Sequence, residues 1–306
     1  PGTAKWMWSA ASGGYKGQDV WRLEEVRVAA NRIRALTPEV HGLINNAGAL
    51  FNDRDLTTEG TERTLAVNLL APYLLTEKLL PALEQGHGRV VNVASGGLYL
   101  QGLHLEDMEF ENERFDGAKA YARAKRALVS QTEHWAEQHP HIRFNSMHPG
   151  WADTPGVAAS LPAFHKRVGP WLRSPRQGAD TMVWLVSSPA VAEISGRFWF
   201  DRRPRPTAVL PGTRVSAEQR RQLARWLAAR CRPGHGGPVG PEAGAQAGFF
   251  SIDLRKCPVW LPLAFATFSG GPWAITRPPP SPPSGPRSTI QSAVLITSRL
   301  CSITTM

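Results

Sequence analysis

Cysteine is scarce in this chain of 306 residues, and its placement is uneven. All three cysteines, Cys231, Cys257 and Cys301, fall in the last 76 residues. We therefore expect the folded part, residues 1–230, to contain no disulfide framework, no thiol chemistry and no cysteine-based metal site. This composition suits a reducing compartment, so a cytoplasmic location is favoured, although the sequence does not determine it.

Long apolar segments are also missing. The longest apolar run, Val259–Phe268, is interrupted by Pro262 and is too short to cross a bilayer. No transmembrane segment is predicted, and no signal peptide is recognisable at the start of the chain.

The formal net charge of +10 does not form a basic stripe. Residues 1–230 hold 29 Lys and Arg against 23 Asp and Glu, with the signs interspersed, and residues 231–306 hold 6 against 2. Because no basic patch with interleaved aromatic residues is present, we do not expect nucleic acid as a partner. Binding of nucleic acid by the basic tail stays a minor alternative.

A glycine-rich phosphate turn is absent from the N-terminal region. Dinucleotide-binding folds join a strand to a helix through such a turn, but residues 1–18 contain only Ser12-Gly13-Gly14 and no G-x-x-x-G-x-G motif. We expect these residues to be an irregular remnant. The sheet is then incomplete at its N-terminal end, as in a truncated product or a mispredicted first exon.

Helical and strand patterns alternate from residue 19 to residue 230. Apolar spacing predicts helices over about 23–36, 61–83 (kinked at Pro72), 121–137, 177–186 and 216–230, and strands over 41–44, 89–94, 142–147 and 196–200. Residues 231–306 hold 12 of the 26 prolines and no period, so a disordered Pro/Gly-rich tail is predicted.

Tyr121 and Lys125 are the central candidates for chemistry. They are four residues apart, so both side chains share one face of the predicted helix. A lysine ammonium beside a phenol favours the phenolate, and a tyrosine tuned in this way can exchange a proton with an alcohol or carbonyl oxygen near neutral pH. Taken alone, the pair is most simply a surface tyrosine and lysine one turn apart.

Other motifs accompany the pair in a fixed order. Asn45-Asn46-Ala47-Gly48 follows a strand, Asn68 lies within a helix, Ser95 ends a strand, and residues 148–154 read HPGWADT. Together these motifs resemble the short-chain dehydrogenase/reductase family over about residues 19–230. The resemblance implies an α/β fold, a Rossmann-like doubly wound parallel sheet, that binds NAD or NADP.

The resemblance also implies roles for individual residues. Ser95 orients the reacting oxygen, Tyr121 is the acid/base, and Lys125 lowers the tyrosine pKa and binds the cofactor ribose. Asn68 either holds a water in the proton relay or is a satisfied polar group at a helix contact. The cofactor-side residues are then Asp19 (alternatively an ordinary helix N-cap), Asn46, Ala47, Gly48, Tyr121, Lys125, Pro149, Gly150 and Thr154.

The stretch between Ser95 and Tyr121 is longer than in simple family members. This insertion, residues 98–119, resembles the retinol-dehydrogenase-like branch, and Phe110 and Phe115 in it either shape a pocket or pack the loop down. Residues 146–157, 173–185 and 196–202 are similar to a narrower group within the family. The resemblance to the retinol-dehydrogenase-like branch therefore implies a small-molecule carbonyl or alcohol as substrate, with a bulky lipophilic carbonyl as the expected kind.

Two functions remain open from the sequence. The first is an NAD(P)-dependent oxidoreductase, and the alternative is a catalytically inactive family member that binds partners, since the phosphate turn is missing. NAD cannot be distinguished from NADP, because the second strand that decides between them is absent. A homodimer is left open by the resemblance, and no metal site is predicted, since the spacing of His134, His139 and His141 fits no zinc pattern. We expect these three histidines to be solvent-exposed.

Overall fold

The computed structural model describes residues 20–153, 166–167 and 171–233, together with the backbone of two strands at 5–8 and 292–296. Over these residues the chain forms one seven-stranded sheet in the order β1-β7-β2-β3-β4-β5-β6. All neighbouring strands are parallel except the last pair, β5 and β6, which is antiparallel.

The strands and helices between residues 23 and 230 alternate as predicted apart from β6, whereas β1, within the segment expected to be irregular, and β7 were not predicted. The strands are β1 Lys5–Trp8, β2 Gly42–Asn45, β3 Arg89–Val93, β4 Arg143–Met147, β5 Arg197–Phe200, β6 Arg203–Arg205 and β7 Ser292–Ile296. The α-helices are α1 Leu23–Leu36, α2 Arg63–Leu65, α3 Ala71–Gln85, α4 Gly117–Gln138, α5 Pro175–Ser187 and α6 Ala217–Arg230. A π-helix spans Ala66–Leu70, and 3₁₀ turns lie at Gly96–Leu100, Leu105–Asp107 and Pro189–Val191.

Helices cover both faces of the sheet, as a doubly wound fold requires. Successive strand residues point to opposite faces, so Leu43 and Val90 enter a core with α1, α3, α4 and α6. Their neighbours Ile44 and Val91 enter a second core with α5. The predicted fold class is therefore confirmed.

Local sequence signals decide several helix ends. The apolar residues of α1 (Leu23, Val26, Ala30 and Ile33) are all buried, as their spacing predicts. Ser216 caps α6 and accepts a hydrogen bond from the Gln219 amide in a capping box. The N-cap of α1, however, is Arg22 rather than Asp19, and the amides of Leu23 and Glu24 donate to the Glu59 carboxylate.

The predicted single helix over 61–83 is three segments. An α-turn passes into the π-helix before α3 begins, and Pro72 stands in the first turn of α3. Proline lacks the N–H donor of an ordinary helical residue, and Pro72 directly follows the π-helix, where the Ala71 amide donates to the Ala66 carbonyl five residues back. The departure from regular α-helix therefore lies before Pro72, around Asn68, and the kink at Pro72 stays a prediction.

Two further differences concern the C-terminal part. The turn at Asp201 and Arg202, both with positive φ (52° and 56°), leads into the unpredicted strand β6. Cys231, which we assigned to the tail, is buried among the helices of the first core, so the folded part extends past the predicted boundary at residue 230. Within the predicted tail, residues 292–296 form β7, and the others beyond residue 233 lie outside the described residues.

Candidate active site

The carboxyl ends of the parallel strands bring the predicted motifs to one edge of the sheet. Asn46-Ala47-Gly48 follows β2, Ser95 follows β3, and Pro149-Gly150 follows β4. Ligands of open α/β sheets bind at this edge, where loops separate after the strands. Helix α4 crosses beside it and supplies Tyr121 and Lys125.

Lys125 is the most deeply buried charged group of the site, with 2% of its surface exposed. Its Nζ donates a hydrogen bond of 2.9 Å to the carbonyl oxygen of Val93, the last residue of β3. Burial disfavours the ammonium and lowers the pKa of Lys125 to about 7. The amine can therefore gain or lose a proton near neutral pH.

Tyr121 lies one helical turn before Lys125, and Lys125 Nζ is 5.6 Å from the centre of its ring. Burial raises the pKa of Tyr121, and a side-chain hydrogen bond with Ser95 lowers it by a smaller amount. The direction is thus opposite to the predicted one. The physical reason is that removal of water destabilises the phenolate more than the surrounding groups stabilise it.

Ser95 joins the strand end to the tyrosine. It has an extended backbone, N-caps the 3₁₀ turn Gly96–Leu100, and its Oγ accepts a hydrogen bond of 3.2 Å from the Gly97 amide. Its side-chain hydrogen bond with Tyr121 brings the two predicted catalytic hydroxyls together. Hydroxyls in this arrangement can bind one oxygen of a reacting group between them.

Asn68 is completely buried within the π-helix, and its amide is satisfied by backbone. Its Nδ2 donates to the carbonyl oxygens of Ala49 (2.7 Å) and Thr64 (2.8 Å), while its Oδ1 accepts from the Ala49 amide (3.2 Å). Asn68 therefore anchors the turn after β2. The side-chain amide is thus satisfied at a contact between a helix and a turn, and the role of Asn68 in holding a relay water stays a prediction.

The side chains of Asn68 and Lys125 both approach Gly48. A Cβ atom placed on Gly48 would lie 3.0 Å from Asn68 Oδ1 and 3.2 Å from Lys125 Nζ. The absence of a side chain thus leaves the backbone of this turn open beside both polar groups. Asn46 and Ala47, the other predicted residues of this turn, are half-buried.

The turn after β4 contains two of the three cofactor-side residues predicted there, Pro149 and Gly150, which are both half-buried. Gly150 has a φ of 73°, which favours glycine, and its amide donates to Nδ1 of His148 (3.3 Å). Thr154 and Asp19, also predicted to contact the cofactor, lie outside the described residues.

The insertion between Ser95 and Tyr121 is fastened to helix α4. Phe110 and Phe115 pack edge to face at 5.3 Å, and Phe110 is buried. Arg123 lies 4.5 Å from the Phe110 ring and pairs with Glu113. Of the two roles considered for these phenylalanines, the contacts support packing of the loop onto the catalytic helix.

Sequence reasoning missed an aromatic and charged group next to the β4 turn. The His148 ring stacks on Phe200 at 4.2 Å, and Arg173 lies 4.7 Å from Phe200 while pairing with Asp201. Burial, with help from Arg173, lowers the pKa of His148 to about 4, so its ring is neutral at pH 7. These residues are far apart in the chain, and no local pattern indicates that they meet.

A buried polar network behind the site was also missed. Asn45 donates to Thr76 Oγ1 (3.0 Å) and Asn92 Oδ1 (2.7 Å), and Asn92 donates to Thr132 Oγ1 (2.9 Å). Only Asn45 lies in a motif that we singled out. The network joins β2 and β3 to α3 and α4. Each of its hydrogen bonds gives a partner to polar groups that are buried away from water.

Within the part of the chain that the structure describes, no group of three or more His, Cys, Asp or Glu side chains could hold a metal ion. His134 and His139 are half-buried rather than exposed as we expected, and His139 pairs with Glu84 at 3.6 Å. No helix among the described residues is both long enough and apolar enough to span a membrane.

Comparison with known proteins gives consistent results. The family described as short chain dehydrogenase matches residues 14–163. Dehydrogenase/reductase SDR family member 12 of Homo sapiens is 53% identical over 168 residues, which are 54% of this chain and 53% of that protein. This similarity confirms the narrower resemblance predicted from residues 146–157, 173–185 and 196–202.

More distant proteins agree. Retinol dehydrogenase 14 of Mus musculus is 30% identical over 197 residues, which are 61% of this chain and 58% of that protein. A crystal structure of an uncharacterised protein from Mycobacterium paratuberculosis has a TM-score of 0.54 at 22% identity, covers 70% of this chain and 73% of its own, and supports the fold alone. The chain spans little more than half the length of the two curated relatives.

Proposed function

Because this chain belongs to the short-chain dehydrogenase family of oxidoreductases, we propose that it interconverts an alcohol and a carbonyl with NAD or NADP. The observation that carries the proposal is the meeting of four predicted residues at one edge of the sheet. Ser95 hydrogen-bonds Tyr121, and Lys125 and Asn68 both approach Gly48. Separate segments of the chain supply these groups, and an ordinary surface Tyr–Lys pair would not require them to converge.

The residues at this edge fit the nicotinamide and ribose part of such a dinucleotide. The uncovered backbone at Gly48 gives close access, and the Lys125 amine next to it can donate to hydroxyl groups. Pro149 and Gly150 line the neighbouring turn. When bound, the cofactor supplies or accepts the hydride, and the protein provides orientation and handles the proton.

In the proposed reaction Tyr121 moves the proton. Its hydroxyl donates a proton to the carbonyl oxygen, or takes one from the alcohol in the reverse direction, while the Ser95 hydroxyl hydrogen-bonds the same oxygen. The raised pKa of Tyr121 keeps the phenol protonated at pH 7. This form is the general acid needed for reduction, and the phenolate is the base needed for oxidation. Lys125, with a pKa of about 7, is the group that replaces the proton.

We further propose that the substrate is lipophilic. One relative carries the name of an enzyme for retinol, a lipophilic alcohol. In this chain, His148, Phe198 and Phe200 stack beside the Ser95 end of the site, and His148 is neutral at pH 7. The aromatic rings favour an apolar ligand at this end of the site, and the charged groups next to them are Arg173, which lies on the Phe200 ring, and its partner Asp201.

The proposal is tested by titrating the purified chain with NADH and NADPH while following nucleotide fluorescence and the melting temperature. A ligand that binds only the folded state raises the melting temperature, and the stabilisation grows with the logarithm of the ligand concentration divided by its dissociation constant. Saturable binding of one nucleotide supports the proposal and identifies the cofactor. Absence of binding at millimolar concentrations would refute it and favour the alternative of a non-catalytic binding protein.

A further inference from the structure

Arg173 stands at a place where two segments of the chain are held side by side. Ala152 and Arg173 form a parallel bridge. The Asp153 amide donates to the Arg173 carbonyl (2.8 Å), and the Arg173 amide donates to the Trp151 carbonyl (2.9 Å). The residues directly after the Pro149-Gly150 turn are therefore fixed to the segment that leads into α5.

The side chain of Arg173 then lies across Gly150. A Cβ atom placed on Gly150 would be 2.9 Å from Arg173 Nε, 3.1 Å from its Cδ and 3.2 Å from its Cζ. Gly150 also has a positive φ of 73°. The turn after β4 thus has its shape because a glycine accepts both the backbone angle and the arginine pressed against it.

Asp201 and Phe200 hold the guanidinium in that position. Arg173 pairs with both carboxylate oxygens of Asp201, the second at 2.6 Å, and its guanidinium lies 4.7 Å from the Phe200 ring. The His148 ring stacks on Phe200. His148 directly precedes the Pro149-Gly150 turn and lies beside Gly96, the neighbour of Ser95. The contacts therefore connect the β5–β6 turn to the Gly150 turn and to the serine.

The β5–β6 turn is itself anchored from its other side. Arg202, the residue after Asp201, donates through its amide to Thr181 Oγ1 (3.2 Å) and through Nε to Asp180 Oδ2 (2.7 Å) on α5. Since the Arg202–Asp180 pair does not involve Gly150, it offers a matched comparison. The two Arg–Asp pairs involve the same turn, but only the Arg173–Asp201 pair contacts Gly150.

We propose that Arg173 is a positioning residue. Its bidentate pair with Asp201 holds its side chain over Gly150, and the Pro149-Gly150 turn thereby keeps the shape required for the nicotinamide cofactor. The proposal rests on the proposed function for the identity of the ligand. Its structural part, the Arg173–Asp201 clasp, does not depend on any ligand. Lysine cannot replace arginine here, because a single ammonium cannot form two parallel bonds to one carboxylate.

The test compares Asp201→Asn and Arg173→Lys with the control Asp180→Asn. Asparagine tolerates the positive φ of residue 201, so Asp201→Asn removes the charge without adding backbone strain. Amide hydrogen exchange, read by NMR without nucleotide, reports on the bonds donated by the amides of residues 153 and 173. NADH and NADPH affinities are measured on the same proteins, and thermal unfolding checks that each variant is folded.

We expect exchange at the amides of residues 153 and 173 to be about tenfold faster in Asp201→Asn and Arg173→Lys, the two clasp variants, because each loses a charge-assisted hydrogen bond. Nucleotide affinity should fall by a similar factor, and Asp180→Asn should match the wild type in both measurements. Exchange equal to the wild type in the clasp variants would overturn the clasp. Faster exchange with unchanged affinity would overturn the positioning role.

The wild-type result separates this inference from the proposed function. If the wild type binds neither nucleotide, the proposed function fails and the positioning of a cofactor fails with it, while the exchange measurement still decides whether the clasp exists. If the wild type binds and the three variants bind equally well, only the positioning role of Arg173 is wrong.

Discussion

Lys125 Nζ donates a hydrogen bond of 2.9 Å to the backbone carbonyl oxygen of Val93. This bond ties helix α4 to the strand end that precedes Ser95, and it holds the amine where almost no water reaches it. The pKa of the amine therefore falls towards neutrality. Lys125 Nζ lies 5.6 Å from the centre of the Tyr121 ring.

Removal of the Tyr121 hydroxyl should abolish turnover and leave the fold intact. Tyr121→Phe removes the only group placed to exchange a proton with the substrate oxygen in the proposed reaction, for which general acid–base catalysis contributes about 10²- to 10⁴-fold. Steady-state rates and circular dichroism would check this. Tyr99→Phe, which loses a hydroxyl bonded to the Pro206 carbonyl at 3.0 Å, is the matched control. Substantial residual activity in Tyr121→Phe would exclude it as the acid/base.

Replacement of Lys125 by methionine should change how stability depends on pH. The pKa of Lys125 falls from 10.5 to about 7 on folding, so between these values the unfolded state binds more protons. The unfolding free energy of the wild type should therefore rise with pH across this window, with a contribution of up to about 1.4 kcal/mol per pH unit from this residue. Lys125→Met lacks that contribution.

Urea denaturation at several pH values from 6 to 10 would measure the difference. The stability of the methionine variant relative to the wild type should be most favourable near pH 7 and least favourable near pH 10. Parallel curves for the two proteins would show that Lys125 keeps its ordinary pKa in the folded state.

A methyl group on Gly48 should disturb two polar side chains at once. In Gly48→Ala the new Cβ would lie 3.0 Å from Asn68 Oδ1 and 3.2 Å from Lys125 Nζ, which is closer than ordinary contact. We expect a loss of about 1–3 kcal/mol of stability from this overpacking, together with weaker nucleotide binding. Gly96→Ala, whose Cβ would find its nearest atom at 3.8 Å, should not lower stability. Equal melting temperatures for Gly48→Ala and the wild type would contradict this expectation.

Cys231 should resist thiol reagents while the protein is folded. Its side chain is 7% exposed, and burial raises the pKa of the thiol to about 12. Because the thiolate is the reactive form, modification should require unfolding. The measurement is labelling at pH 8 with and without denaturant, in a Cys257→Ser, Cys301→Ser background that leaves one thiol. Rapid stoichiometric labelling of the native protein would show that residue 231 is accessible.

The sequence by itself determined the features that depend on neighbours along the chain. The bounds and buried face of α1, the capping box of α6, and the shared face of Tyr121 and Lys125 all follow from spacing within a few turns. The alternation of strands and helices, together with the family resemblance carried by the motifs that follow the strands, was enough to predict the doubly wound sheet.

Tertiary structure decided the features that depend on residues distant in sequence. Glu59 caps α1 from 35 and 36 residues away, and Arg173 meets Asp201 across 28 residues. The direction of the tyrosine pKa shift was likewise wrong from the sequence, because it is set by burial, a property of the packed whole. Spacing along a helix predicts which side chains are neighbours, but only the folded arrangement determines which groups lose their water and which distant charges replace it.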